Sequence, residues 1–189
     1  IKKSMSTNPN NILVKKRDGR LEPLDINKIH FVVEEACDGL LGVSSSQIEM
    51  NSNIQFYDGM TTKDIQNVLV RSANDLISLE QPNYQYAAAR LLLYDVRKEA
   101  HGQYEYTPLG ALIKRNIDLG VYDPAILEQY TTSDIKRLNT WINRSRDLKF
   151  TYAGIRQVVD KYLVQDRSSG TLYETPQDMY MMISATLFA

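Results

Sequence analysis

An Asp-Gly pair between two short strand-like runs is the feature that most limits how this chain can fold. Ile12 to Arg17 precede the pair Asp18-Gly19, and Arg20 to Leu24 follow it. Asp-Gly between such runs strongly indicates the tight turn of a β-hairpin. The sequence therefore predicts strand, turn and strand at the beginning of the folded chain.

Helical patterns with recognisable start signals follow the hairpin. The clearest has the capping pair Thr61 and Asp64 ahead of apolar residues that recur at helical spacing from Ile65. The other predicted helices are a first capped by Asp25 and ending near Gly39 or Gly42, a second that starts at Ser44 and is broken at Asp58-Gly59, and a fourth from Tyr84 to Lys98 that stops around Gly102. A hairpin with four helices makes one compact α+β unit.

Shorter helical stretches follow Gly102, separated by Gly, Pro and Thr-Thr. We predict helices at about Pro108 to Leu119, Pro124 to Tyr130, Ser133 to Arg144 and Thr151 to Tyr162, and then a short strand pair at 163–165 and 171–173. The apolar run from Met179 to Ala189 has no terminal cap, so we expect a chain that is cut inside a larger domain. The predicted parts are a disordered or artificial N-terminus at 1–11, a compact unit at 12–102 and an incomplete, mainly helical part at 103–189.

Composition argues against several classes of function. The net charge is -1, so there is no globally basic surface of the kind that binds nucleic acid. The single cysteine, Cys37, forms neither an intrachain disulfide nor a multi-cysteine zinc site. No apolar run approaches the roughly 20 residues that cross a bilayer. We expect a soluble cytoplasmic protein without nucleic-acid or membrane partners.

Three adjacent cations, Lys15, Lys16 and Arg17, are the main candidate for a binding site. Such a cluster needs anionic partners or full hydration. On these residues alone, a solvated hairpin tip is the simpler interpretation. Strand alternation also places Lys16 on the opposite face from the other two cations, so one phosphate site would not reach all three unless the turn twists them together.

Two further elements are candidates to complete a phosphate site. A helix N-terminus attracts anions, which favours Thr62 at the start of the third helix. Arg97 and Lys98 near the end of the fourth helix are a second source of positive charge. The alternative for this pair is that both residues complement the dipole of their own helix.

No catalytic or metal-binding constellation is visible. His30 and His101 stand far apart and lack ligand-spaced partners, so a structural or surface role is expected for both. Asp147, Asp160 and Glu174 are scattered and do not form an acid-base pair. The residues alone thus indicate a mostly helical domain with one possible anion site.

An ordered set of motifs resembles the ATP-cone and adjoining region of class Ia ribonucleotide reductase large subunits, of the enteric-bacterial and bacteriophage type. The matching segments are Val14 to Gly19, Asp58 to Ile65, Pro82 to Leu91, Gly102 to Glu105, Tyr122 to Pro124, Arg146 to Tyr152 and Lys161 to Gln165. They cover nearly everything after Asn10. The resemblance implies an ATP-cone at 12–102, followed by the helical start of the family's ten-stranded α/β barrel domain, in a bacterial or phage-infected cell.

The resemblance also implies an allosteric site for ATP or dATP, accompanied by Mg²⁺. The residues that it assigns to this site are Lys16, Arg17, Thr62 and Lys98 around the phosphates, Glu22 and Asp25 toward the adenine and sugar, and Lys28, Gln66 and Tyr94 beside them. With this resemblance, nucleotide contact becomes the favoured interpretation of the basic hairpin tip.

The family's reaction, thioredoxin- or glutaredoxin-dependent reduction of ribonucleoside diphosphates for DNA synthesis, uses several cysteines, and this chain has one. No catalytic residue is therefore expected before Ala189, and both a truncated fragment and a naturally divided subunit remain possible. The implied partners are the rest of the large subunit, a radical-generating β subunit and further large subunits. The alternatives are a cone-bearing repressor, whose cysteine-rich zinc module is missing here, and a helical interaction module without a nucleotide site.

Two positions depart from the family pattern. Gln66 and Asp95 stand where histidine is common, beside the assigned contacts. A glutamine amide donates hydrogen bonds but never becomes cationic, and an inward carboxylate repels phosphate. We therefore predict a cone that binds both ATP and dATP but discriminates poorly between them. The alternative is that Asp95 faces solvent and Gln66 replaces histidine adequately.

Overall fold

The computed structural model describes residues 12–188 as two units, one up to Leu92 and one from Leu93. The predicted N-terminal extension lies outside the described residues. The division falls within helix α4. In chain order the elements are β1 (Leu13–Lys15), β2 (Leu21–Pro23), α1 (Ile26–Cys37), α2 (Ser45–Asn53), β3 (Met60–Thr61), α3 (Thr62–Asn74), α4 (Tyr84–His101), α5 (Leu109–Asp118), α6 (Ile126–Gln129), α7 (Thr132–Trp141), a 3-10 helix (Arg144–Lys149), α8 (Tyr152–Lys161) and α9 (Pro176–Leu187).

The sheet of the first unit has three described strands, whereas the sequence predicted two. β1 and β2 pair antiparallel, which confirms the hairpin, and β1 also pairs in parallel with β3. Val14 of β1 and Met60 of β3 are partners in this second pairing and are both buried. A strand of two residues is too short to show an alternating pattern, which is why the sequence did not reveal β3.

Local capping signals start the helices of the first unit as predicted. Asp25 accepts hydrogen bonds from the backbone N–H groups of the first turn of α1, and Ser44 does the same for α2. Thr61 and Asp64 form a reciprocal capping box at the start of α3. The helices bury apolar faces whose most enclosed members include Val33, Ile48, Leu69, Ala88 and Leu91.

The second unit is helical and packs around a core cluster of its own. Its buried members are Leu109, Ile113, Tyr122, Ile126, Ile135 and Ala185. The predicted strand pair near its end is only a single bridge between Gln165 and Leu172. Among the described residues, no helix is long and apolar enough to cross a membrane.

Helix α9 begins at Pro176, three residues before the predicted apolar run from Met179, because a capping signal starts it there. Thr175 and Asp178 form a capping box there, and Pro176 occupies the first turn, where a missing N–H costs nothing. The sequence also did not indicate the 3-10 helix, which Asn143 caps. These two elements carry Asp178 and Asp147, two buried carboxylates of the second unit.

Candidate nucleotide-binding site

The parallel pairing of β1 with β3 brings the basic hairpin to the start of α3. Lys15 and Thr61 are register partners, so Lys16 and Thr62 are the next residues along two adjacent, parallel chain segments. Thr62 is the first residue of α3, where the helix dipole favours an anion. The structure thus brings together two of the predicted phosphate contacts, through a strand that the sequence did not predict.

Acidic neighbours partner the cations of the hairpin. Lys16 Nζ lies 3.2 Å from Glu22 Oε2, and their side chains are 30% and 40% exposed. Arg20 Nε donates to Asp18 Oδ2 at 2.7 Å. Hydrogen bonds from the backbone and side chain of Arg20 lower the pKa of Asp18. Because these pairs lie at the surface, water screens the charges, and the two members of each pair attract one another only weakly.

Lys16 and Lys15 occupy different surroundings, as the alternation predicted. Lys16 is half-buried, whereas Lys15 and Arg17 are exposed. Lys16 therefore shares the side of β1 on which Val14 is buried, and Lys15 points the other way.

Asp25 and Lys28 lie at the start of α1, directly after β2. Asp25 Oδ1 accepts hydrogen bonds from the backbone N–H groups of Asn27, at 3.1 Å, and Lys28, at 3.2 Å. Lys28 Nζ is 3.6 Å from Asp25 Oδ2. Asp25 therefore has a structural role as a helix cap, whatever else it contacts.

Gln66 points into the protein from α3. The residue is 8% exposed, and its Nε2 donates to the backbone oxygen of Leu91 in α4 at 2.7 Å. The Gln66 side-chain amide, a predicted neighbour of the nucleotide, thus uses its nitrogen to connect α3 with α4.

Tyr94 and Lys98 lie on the part of α4 that belongs to the second unit. Lys98 is exposed, and its Nζ lies 5.8 Å from the centroid of the half-buried Tyr94 ring. The neighbouring Arg97 turns toward aromatic rings, with its Cζ 4.2 Å from the Tyr104 centroid. Asp95 is half-buried. The predicted cations of this helix thus have unlike surroundings, Lys98 at the surface and Arg97 among tyrosines.

Comparison with known proteins identifies both parts of the chain. Residues 12–99 match the model of the ATP cone domain, and residues 148–189 match the all-alpha domain of ribonucleotide reductase. The chain is 45% identical over 95% of its length to ribonucleoside-diphosphate reductase 1 subunit alpha of Escherichia coli, covering 24% of that protein. Identity to the subunit alpha of Haemophilus influenzae is 42% over 94% of this chain and 24% of that protein.

A bacteriophage relative is similar over the same range. Subunit alpha of Enterobacteria phage T4 is 40% identical over 93% of this chain and 23% of its own length. This chain belongs to the ribonucleotide reductase large-subunit family. It spans about a quarter of the length of these relatives and includes an ATP cone domain.

The second unit of this reductase segment contains a cluster of buried charges that the sequence did not reveal. Asp178, fully buried, accepts a hydrogen bond from Arg144 Nη2 at 2.6 Å. His101 Nε2 lies 3.3 Å from the other carboxylate oxygen. Burial opposes ionisation of Asp178, but the nearby His101 and the hydrogen bond from Arg144 outweigh it and hold the pKa below its usual range. His101 is therefore structural, as expected, and its partner Asp178 was missed because the two are distant in sequence.

Asp147 and Glu174 are also buried in the second unit. Asp147 Oδ1 accepts from Gln177 Nε2 at 2.8 Å, while burial raises the pKa of Asp147 to about 6. Glu174 accepts hydrogen bonds from the Tyr122 hydroxyl and from the backbone of Val164. The two carboxylates therefore have separate hydrogen-bond partners. Among the described residues, no group of three or more His, Cys, Asp or Glu side chains is arranged to hold a metal ion.

Proposed function

We propose that this chain is the allosteric part of a ribonucleoside-diphosphate reductase large subunit, and that its ATP-cone binds ATP or dATP. The observation that carries the proposal is the register of β1 with β3, which brings Lys16 alongside Thr62 at the start of α3. A polyphosphate binds well where a cation meets a helix N-terminus, because both supply positive potential and hydrogen-bond donors.

The remaining site residues are proposed from the family resemblance. Arg17 and Lys98 contribute further positive charge to the phosphates. Glu22 and Asp25 face the adenine and sugar, with Lys28, Gln66 and Tyr94 beside them. Mg²⁺ accompanies the nucleotide and is held by its phosphate oxygens, a common mode of Mg²⁺ binding.

Nucleotide occupancy regulates a larger assembly in this proposal. The partners are the rest of the large subunit, a radical-generating β subunit and other large subunits, in a bacterial or phage-infected cytoplasm. Reduction of ribonucleoside diphosphates takes place on the complete enzyme. We expect no reduction by this chain alone, because it has one cysteine and the family's chemistry uses several.

Calorimetric titration with ATP tests the site through two neighbouring lysines. Lys16→Glu replaces attraction to polyphosphate by repulsion and should weaken ATP binding roughly thirty-fold or more. Lys15→Glu makes the same charge change on the opposite side of β1 and should weaken it much less. Equal effects of the two variants would contradict the proposed site, and absence of ATP binding by the unaltered chain would refute the function.

A second part of the proposal concerns how ATP and dATP are distinguished. One donor of Gln66 is already bonded to Leu91, and Asp95 adds negative charge on α4, so we expect little difference between the two nucleotides. The affinities for both should be similar, and dATP should inhibit the complete holoenzyme weakly. Clearly tighter dATP binding together with strong inhibition at low dATP would rule this out.

A further inference from the structure

Arg97 looks in sequence like a companion of Lys98, but its environment is different. Its Cζ lies 4.2 Å from the ring centroid of Tyr104, 5.2 Å from that of Tyr106 and 5.4 Å from that of Tyr94. Its Nε is buried and has no hydrogen-bond partner. The guanidinium is thus partly removed from water and stabilised by aromatic faces, where a cation–π contact is stronger than at the surface.

The chain returns to α4 directly after the helix ends. Gly102 adopts φ 71, a conformation that side-chain-bearing residues disfavour, and Tyr104 and Tyr106 follow it. The rings of Tyr94 and Tyr104 have centroids 5.8 Å apart at a tilt of 54°. Tyr94 therefore contacts the ring of Tyr104 as well as Arg97, and Tyr104 comes from the segment that follows the helix.

We infer that Arg97 and Tyr104 are positioning residues that fix the orientation of the Tyr94 ring for the nucleotide, without contacting the nucleotide themselves. The inference rests on the proposed function, which assigns Tyr94 to the effector site. One face of the cluster is made by α4, because Tyr94 and Arg97 are three residues apart and so project from the same side of the helix. Tyr104 closes the cluster from the returning segment. A ring that is held in this way loses little conformational entropy when a nucleotide packs against it.

The test compares Arg97→Met with the matched control Arg137→Met. Arg137 also lies over an aromatic ring one helical turn away, with its Cζ 5.7 Å from the Trp141 centroid, and both side chains are exposed on helix α7. Arg97→Met should weaken ATP binding roughly three- to thirty-fold, and Arg137→Met should leave it unchanged. Tyr104→Leu should weaken binding to a similar degree, whereas Tyr104→Phe keeps the ring and should restore most of the affinity.

Two readouts separate positioning from direct phosphate contact and from simple loss of structure. If Arg97 only positions Tyr94, Arg97→Met should lower the affinity for ATP and the affinity for ADP by the same factor, at low and at moderate salt. A larger loss for ATP, decreasing with salt, would show that Arg97 itself contacts phosphate and would overturn the inference.

The second readout places 3-fluorotyrosine at position 94 and records its fluorine resonance in the free protein, with urea unfolding as a check on folding. Arg97→Met should shift or broaden this resonance while Arg137→Met does not. An unchanged resonance in the folded Arg97→Met variant would overturn the inference, even if the unaltered chain bound no ATP and the proposed function had failed.

Discussion

The charges of the hairpin and those of the second unit are arranged in opposite ways. Lys16 and Glu22 form a pair whose side chains are 30% and 40% exposed. In the Arg144–Asp178 pair the corresponding values are 19% and 0%. Exposed pairs contribute little to folding and exchange partners easily, whereas removing one member of a buried pair leaves an uncompensated charge. The hairpin cations can therefore accept a phosphate ligand, while the buried cluster serves to hold its unit together.

The largest expected effect comes from breaking the buried cluster. Asp178→Ala leaves Arg144 and His101 without their carboxylate and also removes part of the capping box of α9. We expect a loss of about 3–5 kcal/mol in the free energy of unfolding, measured with urea. The control is Asp160→Ala, which removes an exposed pair with Arg156 and should cost less than about 1 kcal/mol. Equal losses of unfolding free energy in the two variants would show that the buried Arg144–Asp178 pair matters no more for stability than the exposed Arg156–Asp160 pair.

A smaller effect is expected from Glu22→Gln, which tests whether the ion pair with Glu22 restrains Lys16. The change leaves Lys16 without its anionic partner, so binding of inorganic tripolyphosphate should strengthen a few-fold. If Glu22 also accepts a hydrogen bond from adenine, the preference for ATP over GTP should fall in the same variant. Titrations with these three ligands test both parts. Unchanged tripolyphosphate binding would show that Glu22 does not restrain Lys16.

The smallest effect is a pH dependence in the second unit. The pKa of Asp147 is about 6 in the folded protein and 3.8 in the reference state, so the folded form binds the extra proton. The penalty for burying the carboxylate is present above pH 6 and decreases as the pH falls toward 4. The unaltered chain should gain about 1 kcal/mol in the free energy of unfolding between pH 7.5 and 5, relative to Asp147→Asn. Urea titrations at both pH values measure this difference, and identical pH dependence in both proteins would contradict it.

The accuracy of the sequence predictions depended on how local the determining signal was. Asp25, Ser44 and the Thr61–Asp64 pair lie within a few residues of the helices that they start, and all were predicted. β3 was missed because its pairing partner is about 45 residues away and its own pattern is too short. The start of α9 is also a local signal, the capping box of Thr175 and Asp178, but it lies before the apolar run from Met179 on which the prediction rested.

In the candidate site, too, features with a local signal were predicted and features that depend on distant contacts were not. Lys16 and Thr62 were selected from the cation cluster and the helix start, and the structure places their chain segments side by side. Sequence could not assign different roles to the adjacent Arg97 and Lys98, because the difference comes from Tyr104 and Tyr106 folding back after Gly102. The only local hint was the occurrence of two tyrosines directly after a helix-ending glycine.

The central claim is that Lys16 and Arg17 of the hairpin belong to the nucleotide site and that the buried Arg144–Asp178 cluster does not. Chemical-shift mapping of backbone amides during an ATP titration tests it most directly. We predict saturable shifts that are largest at Lys16, Arg17 and Thr62, with no comparable shifts at Arg144 or Asp178. Shifts centred on Arg144 and Asp178, or no saturable shifts at the hairpin, would contradict the account.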